Sequence, residues 1–333
     1  MIKLIKNEFI KIFNKKSTYI MFIITILFVI FNNTIYKTID NIDINNLNKE
    51  IVQEKNYYIN HYNEYKKEKQ DLLNDKYTEY DLKLEYADAA INDAKTKYMI
   101  KNNVDLDSYA NLRYGFINIL QDYSIFIIIL TVMISGSIVS KEFNKGTIKQ
   151  LLIRPYSRFK ILLSKYITCI IILIISICLI LLLETFIGGI TFGFKSIDIP
   201  VIVYNFDINK TIEVSTLKYT FTLIISTLPK FILLTTLSFT ISTIINNSII
   251  GVIIPILGYF ISDIINAIAI SYKINILKYF ITLNWDWSKY LYGGIGLYEN
   301  INIYFSIFIC ILYMIIMLVP TFIIFNNKDI KNI

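Results

Sequence analysis

Few residues in this chain could do covalent chemistry. His61 is the only histidine, so a histidine-based metal site or a Ser/His/Asp triad has little to work with. Cys169, Cys178 and Cys310 all sit inside apolar runs, where a thiol behaves as a small hydrophobe. No G-x-x-x-x-G-K-S/T loop occurs, so nucleotide phosphates have no cradle of that kind. No catalytic, cofactor-binding or metal-binding residue is expected. The residues arranged for mechanical work run from Lys141 to Lys160, "KEFNKGTIKQLLIRPYSRFK", with six of the chain's 33 basic residues. Gly146 permits a tight turn, and Thr147 can cap a short helix. Ile148, Leu151 and Leu152 then share one face, and Pro155 stops the helix. Ser157 can cap the helix that follows. The spacing predicts a short amphipathic helix at about 146–154, with apolar knobs in a basic frame and Glu142 at its base. Such a loop is shaped to press on another protein.

The elements that carry this loop are membrane spans. The chain is 55% hydrophobic with a mean hydropathy of +0.52. Crossing a hydrocarbon layer of about 30 Å takes roughly 20 apolar residues. Six runs qualify, near 18–36, 117–139, 159–187, 219–245, 248–270 and 303–325. Lysine and arginine in short flanking loops stay in the cytoplasm. They gather before the first span (Lys3, Lys6, Lys11, Lys15, Lys16), between the second and third, and after the last (Lys328, Lys331). Residues 38–115 hold 11 basic and 15 acidic residues, net −4, which leaves +11 for the rest of a chain of net charge +7. Both termini are therefore expected inside a bacterial cell membrane, with 38–115 outside. The basic residues hold topology, and no nucleic-acid partner is expected. The first apolar run is long and lacks a small-residue cleavage site, unlike a signal peptide.

Before the first span, Ile2, Ile5, Phe9, Ile12 and Phe13 recur at helical spacing among lysines, as in an elbow helix lying in the membrane interface. Outside, Tyr77, Tyr80, Leu84, Ala87, Ile91, Ala94 and Tyr98 form a heptad seam. Two antiparallel helices, near 43–74 and 79–101, are expected to make a coiled-coil hairpin. It would be a docking arm for a peptide or protein, or a dimerising spacer. His61 would be an exposed seam residue, and Asp105 or Asp107 would restart a helix into the second span. "VIVYNFDINKTIEVS" could pair two short strands turning at 207–210. The fold class is thus an all-α polytopic membrane protein. Its parts are an elbow and first span (1–37), an outer hairpin (38–115), and spans two to six with the loop (116–333).

The loop carries a resemblance. Glu142, Gly146, Thr147, Leu151, Leu152, Pro155, Ser157 and Arg158 match the pattern E-x-x-x-G-T-x-x-x-L-L-x-x-P-x-S-R. That pattern is like the one in permease subunits of ABC-2 type exporters. The resemblance implies that the loop is a coupling helix seated in a cleft of an ATPase subunit, with the glutamate linking it to the spans. ATP and magnesium would be held by the partner ATPase. Two ATPases and a second permease chain, identical or homologous, would complete the machine within membrane lipid. "YFITLNWDWSKYLYGGIG", within about 275–300, resembles the outer re-entrant segment of bacitracin- and lantibiotic-type permeases of that family. Trp285, Trp287, Tyr290 and Tyr292 also suit an interfacial belt, so the segment is either a lid on a path or such a belt. Asp263 is either a gate residue in the fifth span or an interfacial residue at an early end of it. Lys230 either snorkels or marks the start of the fourth span, and Glu184 is placed at the outer end of the third. By analogy the substrate is an amphipathic molecule such as an antimicrobial peptide. A transmitter acting through the outer stalk is the other reading.

Overall fold

The computed structural model describes residues 1–47, 67, 80–102, 104, 106, 111–144, 146–147, 156–272, 274–294 and 301–328. Six helices are long and apolar enough to cross a membrane: Lys16–Ile39, Ile119–Ile138, Arg158–Phe192, Thr216–Ile245, Ser248–Ala269 and Ile303–Asn327. These are the first to sixth spans of a mostly helical membrane protein. One end of the bundle gathers the basic residues. There the Arg158 guanidinium donates to the carbonyls of Asn326 and Lys328 at 2.8 and 2.9 Å, and the Lys328 ammonium to Asn246 Oδ1 at 2.8 Å. The Arg158 and Lys328 contacts thus tie the third, fourth and sixth spans together at this basic end.

The second and fourth spans form the centre, with 67% and 61% of their apolar windows buried against 17% for the fifth and sixth. Lipid tails are as apolar as leucine, so helices in a membrane associate by close packing and hydrogen bonds rather than by hydrophobic burial. The sequence supplies both. A Cβ on Gly136 would stand 3.0 Å from Ser238 Oγ, and one on Gly251 would stand 2.6 Å from Ser242 Cβ. Ser238 Oγ donates to the Val132 carbonyl at 3.0 Å, and Ser242 Oγ to the Ser135 carbonyl at 3.3 Å. Small residues thus bring the second, fourth and fifth spans into backbone contact.

Several elements depart from their expected form. The third span runs past 187 to Phe192 through a π-helical turn, Glu184–Gly188. The fourth starts at Thr216, where Ser215 Oγ accepts from the Lys218 N–H at 3.4 Å. It passes unbroken through Pro229, so Lys230 lies inside it, its ammonium 4.8 Å from the centre of the Tyr259 ring. The helix of the first span continues to Leu47. The outer helix Tyr80–Asn102 stands within a residue of its expected place. Its Ala87, Ala90 and Ile91 pack on Tyr204 and Phe206, and its Ala94, Tyr98 and Met99 on Ile199 and Ile202. The Ala87, Ile91, Ala94 and Tyr98 part of the heptad seam therefore meets a two-stranded antiparallel ribbon, Val201–Asn205 with Lys210–Val214. Asn205 Oδ1 accepts from the Asp207 N–H at 2.9 Å, and Asn209 closes the turn at φ +49°. With that ribbon the chain is not purely helical. His61 and the rest of the expected helix 43–74 lie outside the described residues. The helix before the second span, Leu112–Ile117, is capped by Asn111 rather than by Asp105 or Asp107. Asn111 Oδ1 accepts from the Tyr114 N–H at 2.7 Å, and asparagine caps as well as aspartate.

Overpacking a close helix contact costs about 1–3 kcal/mol. Gly251→Val is expected to lower the thermal midpoint of the purified chain accordingly. A Cβ at Gly258 meets nothing within 4 Å, so Gly258→Ala should leave that midpoint unchanged or slightly raised.

Candidate functional site

The base of the 141–160 loop is held by charge. After the second span the chain makes one further helical turn, Ser140–Asn144, which carries Glu142. Gly146 then reverses the chain at φ +68°, its N–H bonded to the Phe143 carbonyl at 3.0 Å. Thr147 Oγ1 reaches back to the Glu142 carbonyl at 3.4 Å. Ile148, Leu151, Leu152 and Pro155 lie outside the described residues. The chain returns at Ser157, whose Oγ accepts from the Lys160 N–H at 3.4 Å and starts the third span. Arg158 fastens that start to the last turn of the sixth span.

Glu142 belongs to a closed ring of four charges. Lys11 Nζ lies 2.9 Å from Glu8 Oε1 and 2.7 Å from Glu142 Oε1. Lys165 Nζ lies 2.9 Å from Glu8 Oε2 and 2.8 Å from Glu142 Oε2. Each carboxylate bridges both ammonium groups, and the four sum to zero. Lys165 is fully buried and also faces the Ile138 carbonyl at 3.4 Å. The ring joins the N-terminal helix Ile2–Phe13, the loop base and the third span. Leu4, Glu8 and Ile12, spaced by four, form the face that the N-terminal helix turns to the bundle, while Ile2 is 83% exposed. Burial works to raise the Glu8 carboxyl. The Lys165 charge and the hydrogen bonds from Lys11 and Lys165 outweigh it and hold the group below its ordinary value of 4.5. Burial works to lower Lys11, and its bonds to Glu142 and Glu8 outweigh that in turn. Lys15 has no such anchor, so burial and the Lys141 charge lower it.

The residues expected near a path lie on two elements, the fifth span and the segment that follows it. Ile281–Asn284 is a short helix packed between the fifth and sixth spans. Trp285, 4% exposed, lies in the core with Ile224 and Phe231, and Trp287 packs beside it. The Trp287 indole N–H donates to the Asn284 carbonyl and its backbone N–H to the Ser226 carbonyl, each at 3.0 Å. Trp285 is thus buried in the bundle, and Trp287 is half-buried against it. Asn284, which the sequence did not single out, organises the segment. Its amide donates to the carbonyls of Lys278 and Phe280 at 2.7 and 2.8 Å, and its Oδ1 accepts from Ser306 Oγ at 3.0 Å. Ser306 Oγ in turn lies 2.8 Å from Tyr290 Oη. Asp263 is exposed on the fifth span beside exposed Phe260, Ile261 and Ile264, and it makes no ion pair among the described residues.

At the end opposite the basic one, a cavity of about 1020 Å³ opens between the outer helix, the ribbon and residues 288–292. Asp88, Tyr114, Tyr219, Lys289 and Tyr292 are among its lining residues. Tyr219 and Tyr292 stack at 6.2 Å with their planes 7° apart. The Lys289 ammonium donates to the Leu283 carbonyl, and burial pulls it down to about 8.

Removing the cation from a buried pair costs about 3–5 kcal/mol. Lys165→Met is expected to lower the thermal midpoint accordingly. Lys11 is far more exposed, so Lys11→Met should cost about 1 kcal/mol or less. Because the folded value of Glu8 is lowered, its contribution is full above the ordinary carboxylate range. It is lost as pH falls through the folded value, below 4.5. Hydrogen exchange of residues 2–13 should therefore accelerate in acid before the spans open. Unchanged protection there would show that Glu8 does not hold the helix.

Against known proteins, this chain is 32% identical over 195 residues to an uncharacterized protein, YhcI, of Bacillus subtilis (strain 168). The match covers 58% of this chain and 56% of the relative, so the chain spans little more than half the length of that protein. No solved structure matches. Residues 87–331, most of the chain, match the family described as Protein of unknown function (DUF2705). The chain therefore belongs to the DUF2705 family.

Proposed function

We propose that this chain is the membrane subunit of an ATP-driven exporter of the ABC-2 type, coupled to a separate ATPase through the loop 141–158. The observation that carries this reading is the four-charge ring. Glu142, at the base of the loop whose residues resemble a coupling helix, is held at once by Lys11 of the N-terminal helix and Lys165 of the third span. A push on the loop therefore reaches a span and the N-terminal helix through short charged contacts. The elbow reading of residues 2–13 fits the same ring, because a helix held by Glu8 and Lys11 lies across the basic end. The distribution of lysine and arginine sets the basic end in the cytoplasm and residues 38–115 outside a bacterial cell membrane.

Two ATPases and a second permease chain are the partners of this reading. Asp263 supports the second chain. A carboxylate on a lipid-facing surface is costly, and its exposed face on the fifth span has no cover among the described residues. The outer cavity supports an amphipathic substrate such as an antimicrobial peptide, because stacked tyrosines and the half-buried Lys289 offer it both apolar and polar contact.

Affinity purification of the chain from its native membrane tests the reading. An ATPase of the ABC class is expected at near-equal amount, and Leu151→Asp with Leu152→Asp should abolish its recovery. Glu142→Gln should keep the ATPase but weaken the coupling between its hydrolysis and substrate release by about 5–150-fold, the usual span of coupling energies. Recovery of the double variant with undiminished ATPase would sink the coupling assignment.

A further inference from the structure

At the end opposite the charge ring, the first three spans bring two carboxylates together without a basic partner. Glu184, 1% exposed, opens the π-helical turn of the third span. Its Oε2 accepts from Tyr123 Oη at 2.9 Å and from Asn33 Nδ2 at 3.1 Å. Asp122 Oδ2 accepts from Tyr36 Oη at 3.0 Å and from Asn32 Nδ2 at 3.2 Å. Asn32 Nδ2 also donates to Tyr123 Oη at 3.2 Å, which links the two acids into one chain of hydrogen bonds. Among the described residues no lysine or arginine lies within ion-pair distance of either acid. Lys37, one turn further along the first span, gives its ammonium to the Thr191 carbonyl instead, at 3.3 Å.

A second feature points to a missing positive group. Asn33, 1% exposed, donates from Nδ2 both to Glu184 and to the Val29 carbonyl at 3.0 Å. A carbonyl can only accept, so the amide cannot be turned round. Its Oδ1 is therefore an acceptor, and it is buried with no partner. A Cβ on Gly188 would stand 3.1 Å from Glu184 Oε1 and 3.3 Å from Asn33 Oδ1, and one on Gly115 only 2.0 Å from Glu184 Oε1. Two oxygens that accept thus both border the small space left by the absent side chain of Gly188, beside Leu112 Cδ1, and the bare Gly115 lets Glu184 Oε1 come close. In a buried membrane site an unpaired carboxylate and an orphan carbonyl oxygen are each costly. One small cation between them relieves both, and π-helical turns of this kind are frequent at functional sites.

We propose that Glu184 and Asn33, over Gly115 and Gly188, form a binding site for one small monovalent cation, a proton or Na⁺. As a proton it sits on Glu184 Oε1 and is donated to Asn33 Oδ1. As Na⁺ it takes the same two oxygens among its ligands. The chain from Tyr123 through Asn32 to Asp122 and Tyr36 gives the site its polar neighbours. Occupancy fastens the first span to the third, and it needs no ATPase partner.

The test uses the full purified chain in lipid nanodiscs. For Na⁺, the thermal midpoint of the wild type is expected to rise when choline is replaced by Na⁺ at constant ionic strength. Gly188→Ala, which fills the space without changing any charge, should lose that response. For a proton, the infrared spectrum of the wild type minus that of Glu184→Gln should contain the carbonyl band of a protonated carboxylic acid at neutral pH. Asp122→Asn should leave that band in place. Either signature supports the site and says which cation fills it. A wild-type chain with neither a Na⁺ response nor the acid band would overturn the proposal. So would a response that persists in Gly188→Ala together with a band that persists in Glu184→Gln. If Glu184→Gln fails to fold, the Na⁺ titration of wild type and Gly188→Ala and the band in the wild type and Asp122→Asn still decide.

Discussion

The basic end of this protein is organised around one ammonium group that has no water. Lys165 sits seven residues into an apolar helix and is fully buried. A charge taken out of water costs several kcal/mol unless excellent partners surround it. Two carboxylates therefore have to come to it, and the chain can bring them only by folding other elements over the third span. Glu8 arrives on the N-terminal helix, and Glu142 on the helical turn after the second span. Two carboxylates on one lysine would leave a net negative charge, and Lys11 balances it by bridging both. The position of the N-terminal helix, the angle of the loop base and the register of the third span are thus set by one electrostatic requirement.

The centre of the bundle obeys a different rule. Gly136, Ser238, Ser242 and Gly251 let backbones touch, and serine hydroxyls bond across to neighbouring carbonyls. Such packing has no room to adjust. The polar networks lie at the two ends, where the loops enter, and the packed centre separates them. The second and third spans run the whole distance and belong to both networks.

The sequence made the spans legible because a membrane demands runs of about 20 apolar residues, and those survive any tertiary arrangement. The helix Tyr80–Asn102 was legible from its seam, but the ribbon that part of the seam meets was not. Ala87, Ile91, Ala94 and Tyr98 fit a second helix as well as they fit a ribbon, since a small apolar stripe does not say what covers it. Glu142 was found through its motif, yet neither Glu8 nor Lys165 was singled out from the sequence. Lys11 and Glu142 are 131 residues apart, and Glu8 and Lys165 are 157 apart, so no local periodicity could pair them. The available signal was the depth of Lys165 inside an apolar run, where a cation needs a partner. Glu184 was read at the outer end of the third span, and the helix runs on past it. The π-helical turn that carries the helix on to Phe192 has no signature in residue type.

The two ends differ in charge balance, and that difference sets how each can respond. The ring of Glu8, Lys11, Glu142 and Lys165 sums to zero. It can shift or open as a unit without taking up or releasing an ion, so force applied to the loop base can pass through it directly. The pair of Glu184 and Asp122 has no cation of its own among the described residues. Any rearrangement that changes its burial changes the cost of its charge, so its geometry is linked to whatever neutralises it. Lys165 and Glu184 stand on one continuous helix, roughly 28 Å apart at 1.5 Å per residue. A helix gripped at one end by a balanced ion ring and at the other by an unbalanced acid site would, under the proposed coupling, carry displacement from the first end to the second. There the displacement meets a group whose energy depends on an exchangeable cation.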